Sequence, residues 1–214
     1  FHPMTLPDII RAELGRLRCD YAFYCRLPNQ EPLLLQNRAR FLSASIIKVP
    51  ILYAWAYLER MGRVSRDEMC ELDFEAQVAG SGLARLLHTR RLPFHDVLLL
   101  MIALSDNLCT NLVIRRIGIE RLNDIFRGPF GLRDTRVERK LFDYAARAEG
   151  KDNWISARDC VRFYALRDEL PAEQRAWIDP LFMACVDVGL WLRNVPRDTV
   201  AFHFHEPLGV IGQI

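Results

Sequence analysis

The chain has 214 residues, half of them hydrophobic, and nearly equal numbers of basic and acidic side chains, 29 and 27. This size and apolar content suffice for a buried core, and a net charge of +2 is too small to indicate a nucleic-acid partner. No apolar run reaches the ~18 residues that a membrane-spanning helix requires, so we expect no membrane span. The sequence shows no signal-peptide pattern and does not itself indicate a compartment.

The N-terminal part of the chain predicts a helix followed by a β-hairpin. Apolar residues at helical spacing indicate a helix over 6–17. The aromatic-rich segment 20–27 predicts a strand, a turn with two prolines follows it, and residues 33–36 predict the second strand of the hairpin. Ser43 is a candidate N-cap for a long helix that ends near Arg60, before Gly62.

The middle of the chain predicts a block of helices. Apolar spacing indicates helices over 66–70, 93–104, 107–117, 119–126, 157–169 and 172–188, and a β-rich segment over 199–205 predicts a further strand. We therefore expect a single domain, 1–214. In it, residues 1–42 and 195–214 form a sheet subdomain and residues 43–194 form a mainly helical lobe.

Six cysteines form no CxxC pair and no spacing that is typical of a zinc site; they stand at positions 19, 25, 70, 109, 160 and 185. Free cysteines are among the most buried residue types, so we expect buried free thiols. A disulfide between Cys19 and Cys25 is an alternative that the spacing leaves open.

Ser45 and Lys48 form a serine-x-x-lysine pattern within an apolar segment. Residues three apart lie on one face of a helix, so the lysine amine can reach the serine hydroxyl and remove its proton. Such a pair is more often a surface pair than a catalytic one. Here the neighbours of Lys48 are Ile, Val and Leu, an apolar setting in which an unpaired ammonium is costly and a functional lysine is favoured.

A second polar group, Ser105-Asp106-Asn107, follows an apolar helical run 57 residues after Lys48. Taken alone, Ser-Asp-Asn is usually a helix cap and a turn. Together with the first pattern it is typical of an acyl-transfer site.

With both motifs placed, the sequence resembles the class A β-lactamases and the wider family of penicillin-recognising serine acyltransferases. The likeness extends through residues 80–83, Asn111, 135–139 and 155–159. The resemblance implies an α/β (α+β) serine β-lactamase-like fold, with a small antiparallel sheet, flanking helices and an all-helical lobe. It implies an exported enzyme that requires no cofactor and no metal.

The resemblance also implies roles for individual residues. Ser45 would attack the acyl carbonyl, Lys48 would accept its proton, and Ser105 would relay a proton to the leaving nitrogen. Asn107 would hold the substrate amide and Lys48, and Asn111 would tie the omega loop to the helical lobe and belong to the substrate-binding set. The oxyanion hole would combine the Ser45 N–H with a backbone N–H from residues 206–208.

The omega loop departs from the family pattern. A gapless count places Leu141 where class A enzymes carry the glutamate that activates water, and Ala145 where they carry an asparagine. Leucine cannot activate water. Glu138 and Asp143 are the nearby candidate substitutes, Asp143 the better one if residues 140–147 are helical. Its alternative role is a surface carboxylate that pairs with a neighbouring cation.

The third-strand Lys-Thr-Gly motif of the family is also missing. His203 and His205 stand in the corresponding stretch and could supply positive charge to bind a substrate carboxylate, but only when they are protonated. Their spacing would suit a metal, but the sequence offers no obvious third ligand, so we expect none. The family sheet needs two more strands and a helix after this point, so we expect the chain to be C-terminally incomplete.

The sequence therefore predicts a serine hydrolase, acting as a monomer, that opens β-lactam or similar amide rings through an acyl-enzyme on Ser45. Its partner would be a small β-lactam or an acyl-peptide. Two alternatives stay open: a penicillin-binding peptidase or esterase-like hydrolase, and a non-catalytic descendant that kept the fold.

Overall fold

The structure is a computed structural model that describes residues 5–25 and 31–185. Its α-helices, numbered in chain order, include one central helix that contacts four of the others. They are α1 (Leu6–Gly15), α2 (Lys48–Arg60), α3 (Phe94–Ala103), α4 (Asn107–Ile117), α5 (Ile119–Arg127), α6 (Tyr144–Ala148), α7 (Ala157–Glu169) and α8 (Ala172–Met183).

The described strands form three antiparallel pairs. They are β1 (Ala22–Cys25), β2 (Leu33–Gln36), β3 (Phe41–Leu42), β4 (Met69–Glu71), β5 (Arg91–Pro93) and β6 (Trp154–Ile155). β1 pairs with β2, β3 with β6, and β4 with β5. In the first pair Ala22 lies opposite Gln36 and Cys25 opposite Leu33, so the predicted hairpin pairing is confirmed.

Helix α2 forms the centre of the hydrophobic core and contacts α3, α4, α5 and α7. Ile51, Leu52, Ala54 and Trp55 are completely buried, so the helix is apolar on every side rather than on one stripe. Burying one large aliphatic or aromatic side chain contributes roughly 1.5–3 kcal/mol. This surrounded position fixes the N-terminal end of α2, where Ser45 and Lys48 lie.

Most helices follow the predicted segments because strong local signals delimit them. Helices α4 and α7 have the predicted bounds, since the side chains of Asp106 and Ser156 accept hydrogen bonds from backbone N–H groups in their first turns. Gly118 separates α4 from α5 with a φ of 92°, a conformation that side chains with a Cβ rarely adopt.

Three local predictions were wrong in whole or in part. Residues 66–70 are not helical: strand β4 occupies 69–71 and pairs with β5, and this pairing outweighs the helical spacing. Ser43 stands at the N-cap position of a 3-10 helix (Ala44–Ile47) that precedes α2, but its side chain does not cap it, because the hydroxyl donates to the Ala44 carbonyl instead. Helix α1 ends two residues earlier than predicted, and none of its residues is buried.

The cysteine prediction holds in part. Cys19 and Cys25 are both free, so the alternative disulfide between them does not form, and Cys19 is exposed. Cys70 and Cys109 are buried free thiols, as expected. Burial raises the pKa of the Cys70 thiol to about 11, which keeps it protonated and unreactive near neutral pH.

The predicted 172–188 helix ends earlier, at Met183. Its residues 186–188, the strand over 199–205 and the sheet subdomain contribution of 195–214 lie outside the described ranges. Within the described ranges, no helix combines the length and the apolar character needed to cross a membrane.

Candidate active site

Ser45 lies in the 3-10 helix that leads into α2, with Lys48 as the first residue of α2. The preceding residue, Ala44, has a φ of 42°, a left-handed conformation that is rare for a residue with a Cβ. The turn is anchored by a hydrogen bond from the Ser43 N–H to the Asn153 carbonyl, 2.8 Å long. Ser45 is half-buried, so its hydroxyl lies at the edge of the core rather than inside it.

The Lys48 amine joins the two predicted motifs. Its Nζ lies 2.9 Å from Ser45 Oγ, 2.8 Å from Ser105 Oγ and 3.1 Å from Asn107 Oδ1. The Lys48 side chain is only 1% exposed. The structure thus brings together all four residues that the sequence predicted as catalytic, around one buried amine.

Burial lowers the pKa of Lys48 from 10.5 to about 7, and the nearby Asp106 carboxylate opposes part of this shift. Desolvation disfavours the charged form, which is why the direction is downward. A lysine with a pKa near 7 is partly neutral at physiological pH and can accept a proton.

The number of protons on Lys48 decides the direction of its hydrogen bonds. An ammonium has three N–H donors, which match the three oxygen acceptors around it. A neutral amine has two donors and one lone pair, so one serine hydroxyl must then donate to Nζ. Since the Ser105 hydroxyl donates to Ser45 Oγ over 2.9 Å, Ser45 is the hydroxyl placed to donate.

The Ser105-Asp106-Asn107 turn lies between α3 and α4. Ser105 adopts a φ of 54°, and Asp106 caps α4 by accepting a hydrogen bond from Cys109 N at 3.0 Å. The second Asp106 oxygen accepts from Ala84 N at 2.8 Å. The segment is thus a helix cap and a turn, which is the usual role of Ser-Asp-Asn. It also positions Ser105 beside Lys48.

The Asn107 carboxamide has two different surroundings. Its oxygen accepts from Lys48, and its nitrogen donates to the Ala79 carbonyl over 3.3 Å. Gly80, which follows Ala79 in the chain, has a φ of 89°. A Cβ on this residue would not fit beside the Asn107 nitrogen.

Asparagine side chains hold the loop that joins α5 to α6. Asn111 Nδ2 donates to the Leu141 carbonyl at 3.0 Å, and its Oδ1 accepts from Leu141 N at 2.8 Å. Asn123 makes the same pair of bonds to Val137, at 2.7 and 3.0 Å. The loop tie expected of Asn111 is therefore present, whereas a direct contact between its buried side chain and a substrate stays a prediction.

The sequence reasoning missed Asn123, and also Asn153, whose Oδ1 accepts from the backbone N–H groups of Glu138 and Arg139. Both asparagines lie in segments that mix polar and apolar residues. The helical or strand spacing of the apolar residues gives no indication that these two side chains are important. An asparagine inside a helix, such as Asn123, was the available signal, because asparagine is a weak helix former and is often retained for a hydrogen bond.

The two candidate substitutes for the omega-loop glutamate are engaged elsewhere. Asp143 caps the short helix α6 by accepting from Ala146 N at 3.0 Å. It pairs with neither neighbouring cation, so the ion pair expected as its alternative role does not form: Lys140 binds Glu75, and Arg147 approaches Asp152. Glu138 accepts from Asp152 N at 3.2 Å. Among the described contacts, neither carboxylate meets Ser45 or Lys48.

His203, His205 and residues 206–208 lie outside the described ranges, so their predicted roles stay predictions. Among residues 5–25 and 31–185, no group of three or more His, Cys, Asp or Glu side chains could hold a metal ion.

Comparison with solved structures identifies similar folds. PBP-A is 26% identical, with a TM-score of 0.72 over 85% of this chain and 69% of that chain. A leucine-to-glutamate mutant of PBP-A, in an acyl-enzyme complex with penicillin G, is 25% identical with the same TM-score and coverage. A β-lactamase from Sphaerobacter thermophilus is 23% identical, with a TM-score of 0.68 over 83% of this chain and 67% of that chain.

These matches confirm the predicted serine β-lactamase-like fold, of mixed helices and small antiparallel sheets. No curated protein matches the sequence. A sequence model of the β-lactamase enzyme family matches residues 8–167, which is more than half of the chain. The chain therefore belongs to the β-lactamase enzyme family.

Proposed function

We propose that this protein opens β-lactam or similar amide rings by forming an acyl-enzyme on Ser45. The observation that carries this proposal is the position of the buried Lys48 amine, 2.9 Å from Ser45 Oγ and 2.8 Å from Ser105 Oγ. A partly neutral amine at that distance can remove the hydroxyl proton as the oxygen attacks, which converts an ordinary alcohol into a nucleophile.

The hydrogen bonds support a complete route for the proton. Ser45 Oγ bonds to the carbonyl carbon while its proton passes to Lys48, and the carbonyl electrons move to the oxygen. When the tetrahedral intermediate collapses, the C–N bond breaks and the leaving nitrogen takes a proton. Ser105 donates its own proton to that nitrogen and recovers one from Lys48, since its Oγ contacts both Lys48 Nζ and Ser45 Oγ.

Backbone N–H groups would stabilise the negative charge on the carbonyl oxygen. Ser45 lies in the first turn of the helical segment, where N–H groups lack intrahelical acceptors and attract anions. The second donor is expected from residues 206–208. His203 and His205 remain our candidates for binding the substrate carboxylate.

The release of the acyl group supports a second candidate function. Leu141 has no group that can activate water, and the described hydrogen bonds of Glu138 and Asp143 are to Asp152 N and Ala146 N, not to Ser45 or Lys48. A protein with this loop would acylate at Ser45 and hydrolyse the ester slowly, as a penicillin-binding peptidase or esterase-like enzyme does. One similar structure, the leucine-to-glutamate mutant of PBP-A, is an acyl-enzyme complex with penicillin G, which supports acylation by a penicillin.

Intact-protein mass spectrometry after incubation with penicillin G tests the proposal, with Ser45→Ala as the control. A persistent mass increase equal to the drug, absent in Ser45→Ala, would support a nucleophile with slow deacylation. Consumption of the drug without an adduct would support turnover as a β-lactamase. An unmodified protein together with intact drug would contradict both and favour the non-catalytic descendant.

A further inference from the structure

A nearly buried carboxylate joins three segments beside the proposed site. Glu75 follows the 3-10 helix Leu72–Phe74, and its side chain is 9% exposed. Its Oε1 forms an ion pair with Lys140 of the loop between α5 and α6, and it lies 3.5 Å from Arg115 Nη1 on α4. Arg115 also donates to the Phe74 carbonyl over 2.8 Å. The chain is therefore held at Glu75 by cations from two other segments.

Stability alone is a weak explanation for an ion pair in this position. Removing a carboxylate from water is costly, and the attraction to its partner often does no more than offset that cost. An apolar pair of similar size could stabilise the fold as well, but it would not determine which atoms meet. The Glu75 pairing therefore favours a role in fixing the position of its own segment relative to Lys140.

Residues 76–80, which follow Glu75, have few other anchors. Among the described contacts they make one hydrogen bond, in which the Ala79 carbonyl accepts from Asn107 Nδ2 over 3.3 Å. Val78 packs against the hydrophobic core, and the rest of the segment is exposed. The position of the Ala79 carbonyl thus depends on how the segment is held where it begins, at Glu75.

The Ala79 carbonyl in turn orients the Asn107 carboxamide. Asn107 Oδ1 accepts from Lys48 Nζ at 3.1 Å, while Nδ2 donates to Ala79. A carboxamide has one acceptor end and one donor end, so an acceptor beside its nitrogen keeps its oxygen turned toward Lys48. Displacement of residues 76–80 would remove that acceptor and leave the amide free to rotate away from the direction in which it would hold a substrate.

The opposite side of the ion pair is also held in place. Lys140 precedes Leu141, whose backbone groups are bound by Asn111 at 3.0 and 2.8 Å. Asn111 and Arg115 lie four residues apart on α4, so one face of this helix contacts both the loop and the carboxylate. Since α4 begins at Asn107, the carboxylate, the loop and the amide share one helix as their support.

We propose, on the basis of the proposed function, that Glu75 is a positioning residue for acylation. Its carboxylate holds residues 76–80 against Lys140, and this segment places the carbonyl that orients Asn107. Loss of the carboxylate should weaken substrate binding more than it slows the chemical step, because the Lys48 contacts to the two serine hydroxyls do not involve this segment.

Acylation by penicillin G over a range of drug concentrations tests this role in Glu75→Gln, which keeps the size of the side chain without its charge. Intact-protein mass spectrometry gives the drug concentration at half-maximal rate and the limiting rate. We expect the half-maximal concentration to rise about fivefold or more, and the limiting rate to change by less than about twofold. Lys140→Met should also raise this concentration, whereas Lys140→Arg, which keeps the charge, should retain most of the wild-type value.

Glu59→Gln is the matched control. Glu59 is a partly buried carboxylate, 19% exposed, that pairs with Arg66 at 2.9 Å near the C-terminal end of α2. Its loss should lower stability in urea unfolding but leave the half-maximal concentration at the wild-type value. An equal rise in Glu59→Gln would overturn the positioning role, because a general loss of stability would then explain both variants.

Unchanged half-maximal concentrations in folded Glu75→Gln and Lys140→Met would overturn the positioning role while leaving the nucleophile intact. If Glu75→Gln does not fold, the contrast between Lys140→Met and Lys140→Arg decides the question, and equal values in these two variants would overturn the role. Failure of the wild type to acylate would instead overturn the proposed function, and the positioning role with it.

Discussion

Asn111 holds the backbone of Leu141 from both sides, donating to its carbonyl at 3.0 Å and accepting from its N–H at 2.8 Å. The Asn111 side chain is 2% exposed, so these bonds are shielded from competing water. The structure thereby fixes the backbone of the residue that aligns, without gaps, with the water-activating glutamate of class A enzymes.

Leu141→Glu should therefore increase the rate at which the acyl-enzyme is hydrolysed. A carboxylate on a backbone that is already held in place can act as a general base, a contribution of typically 10²–10⁴-fold in rate. The measurement is the decay of the penicillin adduct by intact mass, together with the disappearance of the drug. Leu141→Gln is the control, because it has the same size without a titratable group. Equal adduct lifetimes in the two variants would contradict the prediction.

Asn111→Ala should lower both stability and activity. The substitution leaves two shielded backbone groups of Leu141 without partners, at a cost of about 1–3 kcal/mol each. Asn123→Ala is a matched control, because it removes the same pair of bonds at Val137, farther along the loop from Leu141. Urea unfolding should show losses in both variants, whereas the acylation rate should fall mainly in Asn111→Ala. A comparable fall in Asn123→Ala would show that general loop order, not the Leu141 position, controls the site.

The acylation rate should rise with pH through the pKa of Lys48. Burial places this pKa at about 7, so the neutral, proton-accepting form dominates above that pH and the ammonium below it. We expect the second-order rate constant to increase about tenfold per pH unit below pH 7 and to level off above it. Stopped-flow or mass-spectrometric rates between pH 5.5 and 8.5 check this. A flat profile, or persistence of acylation in Lys48→Arg, would argue against Lys48 as the base.

Lys48 should also make the stability of the protein depend on pH. Its pKa is lower in the folded than in the unfolded state, so the unfolded chain binds more protons between pH 7 and 10.5. The free energy of unfolding therefore rises with pH across that window, and the cost of a buried charge is fully present below pH 7.

Lys48→Met should remove this contribution. We expect the variant to be at least as stable as the wild type at pH 6.5, with an advantage that shrinks by pH 9.5, in line with the trade-off between stability and function at active sites. Urea unfolding at both pH values provides the comparison. A difference between the two proteins that does not change with pH would contradict the assigned pKa direction.

Gly82→Ala should displace the Ser105-Asp106-Asn107 turn. Gly82 has a φ of 103°, and an added Cβ would come within 2.2 Å of the Asp106 carboxylate and 2.5 Å of its Cα. Gly62→Ala is the matched control: Gly62 also has a positive φ, 66°, but nothing lies within 4 Å of its would-be Cβ.

Urea unfolding and acylation rates distinguish the two glycine variants. Gly62→Ala should cost only the backbone strain, roughly 1–2 kcal/mol, and keep the acylation rate. Gly82→Ala should cost more and slow acylation, because Asp106 or its backbone must move. Equal costs with unchanged acylation would show that the turn absorbs the methyl group.

The sequence predicted those parts of the molecule that depend on local signals. Helices α4 and α7 begin at caps with a side-chain oxygen, so their bounds could be predicted to the residue. The grouping of Ser45, Lys48, Ser105 and Asn107 could be predicted from the resemblance. Strand β4 could not, because its pairing with β5 depends on a segment some twenty residues away that carries no strong β signal. The partners of Asp143 and Glu138 depend on how the loop folds back on itself, which no periodicity encodes.

The non-glycine residues with positive φ in the described chain are Ala44, Ser105 and Phe142. Ser105 belongs to the proposed site and Ala44 precedes Ser45, whereas Phe142 follows Leu141 in the loop after α5. A laboratory selection for thermal stability alone would favour glycine at all three positions, because glycine relieves the strain. Such a selection is expected to yield variants of higher thermal stability in which Ser45 and Ser105 are held less rigidly. Variants with substitutions at these three positions should therefore also be screened for activity.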